Sequence, residues 1–471
     1  MPAGTLHPAP PARRAAAPRG GLRSVAILEP IGDVGIGGYT HELAEGLAAA
    51  GVRVDVFCNS GSFALNLPRR HRLFPALGRP VHDPAFAEPA PVPALAPEGA
   101  ADAAVPVMDR YFDVLDRLDA ARAAAPESAP AVLPSASAGD AAAAAPVRHP
   151  AGWTSPRRRA LALARHLKDA GYDAVWTQWT SLAGYSDAFP TACRAVGLPL
   201  VHTVHNVLPH ECVPGDHARH RRYYAGAAAL VVHSRASADA LVREFPETAG
   251  RVVPSWHGTY SIFPRVPAVR ARVRDRLRLA DGERAFLCFG AVRPYKNVEG
   301  MLHALQDERS AGAVLVVAGM EWGYPEVYPG DRLGRTRRLA RSLGVEHRVR
   351  LLPGPLGLRH AGEVFEACDA VAVPYLESYG SGVLLTAMTY RRHVLATRAG
   401  GMLEYLDCYP HTPLHGFAPG DLADGIARAM RDLQAPAADT DIRWLEWPEI
   451  AREMLPLLEE RLHAAVSASA R

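Results

Sequence analysis

Short apolar runs of strand length, each closed by glycine or proline and each leading into a helical pattern, recur along this chain and narrow its choice of fold. Ser24-Val25-Ala26-Ile27-Leu28-Glu29 is one; Phe286-Leu287-Cys288-Phe289-Gly290, Ala313-Val314-Leu315-Val316-Val317-Ala318-Gly319 and Ala370-Val371-Ala372-Val373-Pro374-Tyr375 are others. Helical rhythm follows in Leu43, Leu47 and Ala50, stopped by Gly51, and in the Arg-rich stretch around Leu333 to Leu343. Strand and helix alternating in this way predict βαβ units and parallel sheets, and disfavour all-α and all-β architectures. At 471 residues the chain is too long for one typical core and about right for two α/β domains, and its 48% hydrophobic and 21% charged composition is globular.

Three of these units end in residues suited to a phosphate. After Phe289-Gly290 the chain delivers Arg293 and Lys296 three residues apart, in Arg293-Pro294-Tyr295-Lys296. In open α/β sheets ligands lie beyond the carboxyl ends of strands, where fixed cations and helix N-termini both attract a diphosphate. Beyond Tyr375, Ser381-Gly382-Val383 opens a helix: the serine can cap it, and the glycine lets a ligand approach backbone N–H groups that have no intrahelical partner. Near the N-terminus, Gly35-Ile36-Gly37-Gly38-Tyr39 joins a strand to a helix, without the ending of a Walker loop or a full dinucleotide fingerprint. A tight turn would explain those glycines equally well.

Taken in order, the glycine-rich loop, the Arg-Pro-Tyr-Lys turn and the Ser-Gly-Val helix start resemble the GT-B glycosyltransferases, and most closely the retaining family 4 (glycosyl transferases group 1). Thr203-Val204-His205-Asn206, Val231-Val232-His233-Ser234, Ser255-Trp256-His257-Gly258, Gly400-Gly401-Met402-Leu403-Glu404 and Gly416-Phe417-Ala418-Pro419-Gly420-Asp421 add to the same succession. The resemblance covers Val25 to Asn59 and His166 onward. It implies two Rossmann-like domains facing across a cleft: an N-terminal acceptor domain over residues 22–261 and a nucleotide-sugar domain over residues 262–440. Residues 441–471 would form a helix crossing back over both, since Trp444, Trp447, Ile450, Met454, Leu457 and Leu458 fall in helical rhythm.

The implied activity is retaining transfer of a sugar from a nucleoside-diphosphate sugar to a glycan, glycolipid or small-molecule acceptor. Arg293 and Lys296 would stabilise the charge that grows on the leaving diphosphate. Ser381, Gly382 and Val383 would offer backbone donors to it, and Gly37 and Gly38 would approach it from the other domain. His205 is expected to touch sugar or acceptor, with Glu211 a weaker candidate on the same loop, and His257 to approach the donor. No bound cofactor is required by this chemistry. One departure from the family stands out: counting from Glu377, the position of the usual second glutamate holds Leu385, followed by Thr386, so the carboxylate that grips the ribose has no counterpart. Other readings are a GT-B sugar-nucleotide epimerase, a phosphorylase, or a non-catalytic partner protein. The phosphorylase would need a lysine for pyridoxal phosphate, and Lys168 and Lys296 are the two lysines in the sequence.

The remaining stretches carry less chemistry. Residues 60–150, dense in proline and then alanine, are expected to add loop or disorder and no core, apart from a helical rhythm at Tyr111, Leu115 and Leu118; residues 1–21 read as a floppy leader without the apolar centre of a signal peptide. The six cysteines are scattered, without a CxxC pair, and read as reduced buried thiols. His205, His210 and Glu211 lack the converging spacing of a zinc site, so no metal is expected. With a net charge of +3, from 52 basic and 49 acidic side chains, there is no nucleic-acid signature. No apolar run reaches the ~20 residues that span a bilayer, so the chain is expected in the cytoplasm. Arg157, Arg158, Arg159, Arg165 and Lys168, and separately Arg219, Arg221 and Arg222, could bring it to an anionic membrane face.

Overall fold

The computed structural model describes residues 21–32, 35–77, 79, 81–91, 156–180, 188–210, 212–265, 267–320, 331–354, 356–434 and 440–469. Two parallel sheets organise them. The first runs β3-β2-β1-β4-β5-β6-β7, from β1 (Ser24–Glu29), β2 (Arg53–Cys58), β3 (Arg72–Phe74), β4 (Ala174–Thr177), β5 (Leu200–Thr203), β6 (Ala229–Val232) and β7 (Val252–Pro254). The second runs β10-β9-β8-β11-β12-β13, from β8 (Arg284–Phe289), β9 (Ala313–Gly319), β10 (Val349–Pro353), β11 (Ala370–Val373), β12 (His393–Thr397) and β13 (His411–Leu414). Each order reverses once, between β1 and β4 and between β8 and β11, and such switch points open a crevice at the carboxyl ends of the strands.

Both faces of each sheet are buried, which is why the strands read as unbroken apolar runs. In β1 the side chains alternate: Val25 and Ile27 face the first helix, Ile36–Ala49, while Ala26 and Leu28 face the helix Pro156–Asp169. The second sheet divides likewise, with Leu287 and Val371 on one face and Phe286 and Ala370 on the other.

The C-terminal segment crosses back between the two layers. Leu445 belongs to the core of the second sheet, whereas Trp447, Ala451, Met454, Leu458 and Leu462 of the helix Trp447–Ser469 complete one face of the first. Together with the two switch-point sheets this is the two-domain α/β GT-B fold.

The proline-rich stretch differs from its expectation. Within residues 61–91, β3 extends the first sheet, Phe74 stacks on Phe57 at 4.9 Å, and Phe86 joins the same core. The buried Arg69 guanidinium ties the stretch together by donating to the carbonyls of Leu67, Ala90 and Pro91 at 3.1, 2.9 and 2.6 Å. The expected leader over residues 1–20 and the helical rhythm at 108–121 lie outside the described residues. Cys58, Cys193, Cys288 and Cys368 are buried free thiols, as read from the sequence; Cys212 is exposed and Cys408 half-buried.

The first helix meets the C-terminal helix where Gly46 has no side chain. A β-carbon there would stand 2.6 Å from the carbonyl oxygen of Trp447, a backbone atom that no rotamer change can move aside. Gly46→Ala is therefore expected to cost about 1–3 kcal/mol, the usual penalty of overpacking, and to lower the melting temperature by several degrees. A melting curve matching wild type would show that the C-terminal helix is not seated on this face.

Candidate functional site

The first wall of the cleft is built at the β1/β4 switch point. Glu29 ends β1 with a buried carboxylate that accepts from the backbone N–H of Ile31 and Gly32, both at 2.8 Å. Gly32 takes a left-handed φ of 75°, which turns the chain toward the first helix. Gly37 and Gly38 lie in the first turn of that helix. A β-carbon on Gly37 would stand 2.8 Å from the Phe63 ring, and one on Gly38 2.9 Å from the Ile262 δ-methyl, so either addition would push a side chain aside, and close packing already favours glycine at both.

Beside them the strand ends deliver a row of neutral polar rings. Tyr39, buried in the first helix, has its ring centroid 4.6 Å from that of His205 and 5.1 Å from those of His233 and His257. Burial holds His205 and His233 well below the usual imidazole range, and it lowers His257 to about 4. These imidazoles are uncharged at neutral pH. Gln178, immediately after β4, places its carboxamide oxygen 3.2 Å from Nε2 of His205.

The second wall stands at the β8/β11 switch point. After β8, Gly290 takes a φ of 84° and the chain runs through Arg293 into a tight turn over Pro294–Lys296. Lys296 folds back so that Nζ donates to the Phe289 carbonyl at 2.7 Å and lies 5.8 Å from the centroid of the Tyr375 ring. A β-carbon on Gly290 would meet that Nζ at 3.0 Å and Val383 Cγ2 at 3.9 Å, so the lysine and the helix Gly382–Thr389 flank the same glycine. Ser381 caps this helix as expected, its Oγ accepting from the backbone N–H of Leu384 at 3.1 Å. Removal from water lowers Lys296 to about 8, Cys288 partly opposing and Arg293 adding to the fall.

Tyr260 joins the walls. Its hydroxyl lies 3.3 Å from His257 Nε2 and would be 3.0 Å from a β-carbon on Gly382, while its ring edge would be 3.5 Å from one on Gly38. The predicted residues Gly38, His257 and Gly382, from separate parts of the chain, thus converge on one tyrosine that the sequence reading passed over. Tyr405 is a second such residue: its hydroxyl donates to the His233 carbonyl at 2.6 Å and accepts from the His257 N–H at 2.8 Å.

The site does not gather every candidate. His210 lies apart from His205, stacked on Tyr295 at 4.3 Å with its Nδ1 2.9 Å from Glu377 Oε1. Glu377 is thereby engaged across the cleft with its side chain 59% exposed. At the position of the absent second glutamate, Leu385 is core and Thr386 donates to the Gly382 carbonyl at 2.8 Å within its own helix. Glu211 lies outside the described residues. Among those described, no three His, Cys, Asp or Glu side chains are grouped to hold a metal ion, and no helix is long and apolar enough to cross a membrane.

Residues 34–256 match the glycosyl transferase 4-like domain, and residues 269–438 match the glycosyl transferases group 1. The chain belongs to the group 1 glycosyltransferases. Among curated proteins it is similar to the D-inositol 3-phosphate glycosyltransferase of Actinosynnema mirum, 28% identical over 282 residues covering 55% of this chain and 66% of that protein. The Rhodococcus jostii protein of the same name is 31% identical over 225 residues, covering 44% and 47%. The chain thus spans between about half and two thirds of the length of these relatives. In fold it is similar to Anabaena HepE, solved in complex with UDP and glucose, at TM-score 0.55 and 14% identity, with 95% of this chain and 100% of that one covered. WaaG, a glycosyltransferase involved in lipopolysaccharide biosynthesis, superposes at TM-score 0.51 and 16% identity, with coverages of 94% and 99%.

The His210–Glu377 contact of this group 1 glycosyltransferase can be tested directly. A double-mutant cycle with His210→Ala and Glu377→Ala, read by thermal unfolding, is expected to give a coupling of about 0.5 kcal/mol, the scale of a pair whose carboxylate is largely exposed. Strict additivity would show that the walls do not touch there in solution.

Proposed function

We propose that this protein is a retaining glycosyltransferase that moves a sugar from a nucleoside-diphosphate donor to a hydroxyl-bearing acceptor. The observation that carries the reading is the convergence of buried Lys296 and the capped start of the helix Gly382–Thr389 on Gly290, with Arg293 on the same turn. A cation and free helix N–H groups on one spot suit a diphosphate better than any neutral ligand.

Breaking the bond from the anomeric carbon leaves negative charge on the diphosphate, and Arg293 and Lys296 would stabilise it more in the transition state than before it. The N–H groups at Gly382 and Val383 would serve the same oxygens, and Gly37 and Gly38 would let the first domain approach closely. In a retaining transfer the acceptor enters on the face that the leaving group departs, so a diphosphate oxygen can take the acceptor proton. This suits a wall whose imidazoles are neutral and where, among the described residues, no ionised side chain is paired with His205. His205 would then hold a hydroxyl of the sugar or acceptor, and His257 would lie behind the donor. The relatives named as D-inositol 3-phosphate glycosyltransferases favour a compact polyol as acceptor over a long glycan. HepE, solved with UDP and glucose, supports a donor of the nucleotide-sugar class. Such a donor would place the reaction in the cytoplasm, with the basic helix Pro156–Asp169 available for a membrane surface should the acceptor be lipid-linked.

Calorimetric titration with a panel of nucleoside diphosphates tests the reading. One should bind, and Arg293→Ala and Lys296→Ala should each weaken it at least tenfold. Lys296→Ala should also lower turnover by about 10²–10³-fold, as for loss of one donor to a developing charge. If no nucleotide binds, the non-catalytic reading replaces this one.

The pH dependence follows from burial of Lys296. An amine is charged below its pKa, so donor kcat/KM should hold level up to about 8 and fall above it. The limb should vanish in Lys296→Ala; its persistence there would assign it to another group.

A further inference from the structure

Gln178 occupies a position that nothing in the proposed chemistry yet uses. It follows β4 directly, where Thr177 pairs with Leu28 of β1 and with His202 of β5, so it sits at the switch point itself. The side chain is fully buried, and among the described residues its carboxamide nitrogen has no hydrogen-bond partner. Only its oxygen is used, 3.2 Å from His205 Nε2. A buried amide held at one end, next to the imidazole that faces the cleft, invites a reason.

The chemistry of the pair supplies one. An amide oxygen can accept but not donate, so the imidazole nitrogen that meets it must carry the proton. A neutral imidazole has one N–H, which leaves Nδ1 as the ring's acceptor. Burial above all keeps the ring neutral, and the described groups facing it are Tyr39 of the first helix, Trp179 after β4, His233 beyond β6, and the imidazoles of His257 and His202, none of them a carboxylate. We propose that Gln178 is a positioning residue that fixes His205 in its Nε2–H form, so that Nδ1 is the atom accepting a hydrogen bond from a hydroxyl of the bound sugar or polyol. The ligand class is a neutral polyhydroxyl face, in contrast to the diphosphate on the opposite wall. The part concerning the hydroxyl rests on the function proposed above; the tautomer does not.

The test separates the two. Imidazole ¹⁵N spectra of the full chain, with His205 assigned by its loss in His205→Ala, should show the Nε2–H tautomer without any donor or acceptor present. Gln178→Leu should admit the Nδ1–H form and lower kcat about tenfold or more while leaving nucleoside-diphosphate affinity unchanged. Gln178→Glu, close in shape and so the better folded control, should raise the His205 titration by about one unit or more, because a carboxylate beside an imidazole favours its charged form. The pH–rate profile should move with it. Nδ1–H in the wild type, an unchanged tautomer in Gln178→Leu, or an unmoved titration in Gln178→Glu would each overturn the proposal. The expected tautomers in a protein that transfers no sugar would leave this assignment standing and remove the function proposed for the site.

Discussion

The chain crosses once from the first sheet to the second between β7 and β8, and the geometry of the cleft depends on where that crossing is pinned. Two buried groups pin it. The Glu42 carboxylate, on the first helix, accepts from the N–H and hydroxyl of Ser261 and from the N–H of Ile262. Tyr405, from the far domain, holds His233 and His257 by their backbones. Burial raises Glu42 to about 7 even though every one of its hydrogen bonds acts to lower it, a measure of how thoroughly water is excluded at the crossing. With both ends fixed, Tyr260 has little freedom, and the glycine-bearing helix starts on the two sides are set against it.

The division of charge between the walls follows from that arrangement. The β8/β11 wall has a buried cation and the serine-capped start of a helix; the β1/β4 wall has imidazoles, a phenol and an amide, with Glu29 spent on its own loop. Each wall lies at the carboxyl end of its sheet, where parallel strands leave a crevice. A ligand with an anionic half and a hydroxylated half fits the pair better than it would fit two copies of either.

Much of this was legible in the residues. The apolar runs at β1, β8, β9 and β11 are buried on both faces and therefore unbroken, a pattern with few alternatives. Ser381 was readable as a cap because the need for one is local: four N–H groups at a helix start lack partners. The stretch over residues 61–91 departs from its expectation because its prolines conceal what Phe74 and Phe86 contribute, and because an arginine bonded to five carbonyls leaves no periodic trace. Tyr260, Tyr405 and the Glu377–His210 contact were invisible for another reason. Their partners lie in distant parts of the chain, and neither period nor composition encodes such pairings. Gln178 and His233 were within reach, since each stands directly beyond a strand end.

The helix Trp447–Ser469 has a consequence for how the molecule is made. Its Trp447, Ala451, Met454 and Leu458 cover a face of the first sheet, yet they are synthesised after every strand of the second. During translation the first domain must therefore wait with Val231 of β6, Val253 of β7 and the outer side of the first helix incompletely covered while the second domain emerges and folds. Domains generally fold as units in the order in which they leave the ribosome. Here that order is broken by design: the domain made first is finished last, and a nascent chain halted before Trp447 would expose an apolar face that chaperones recognise.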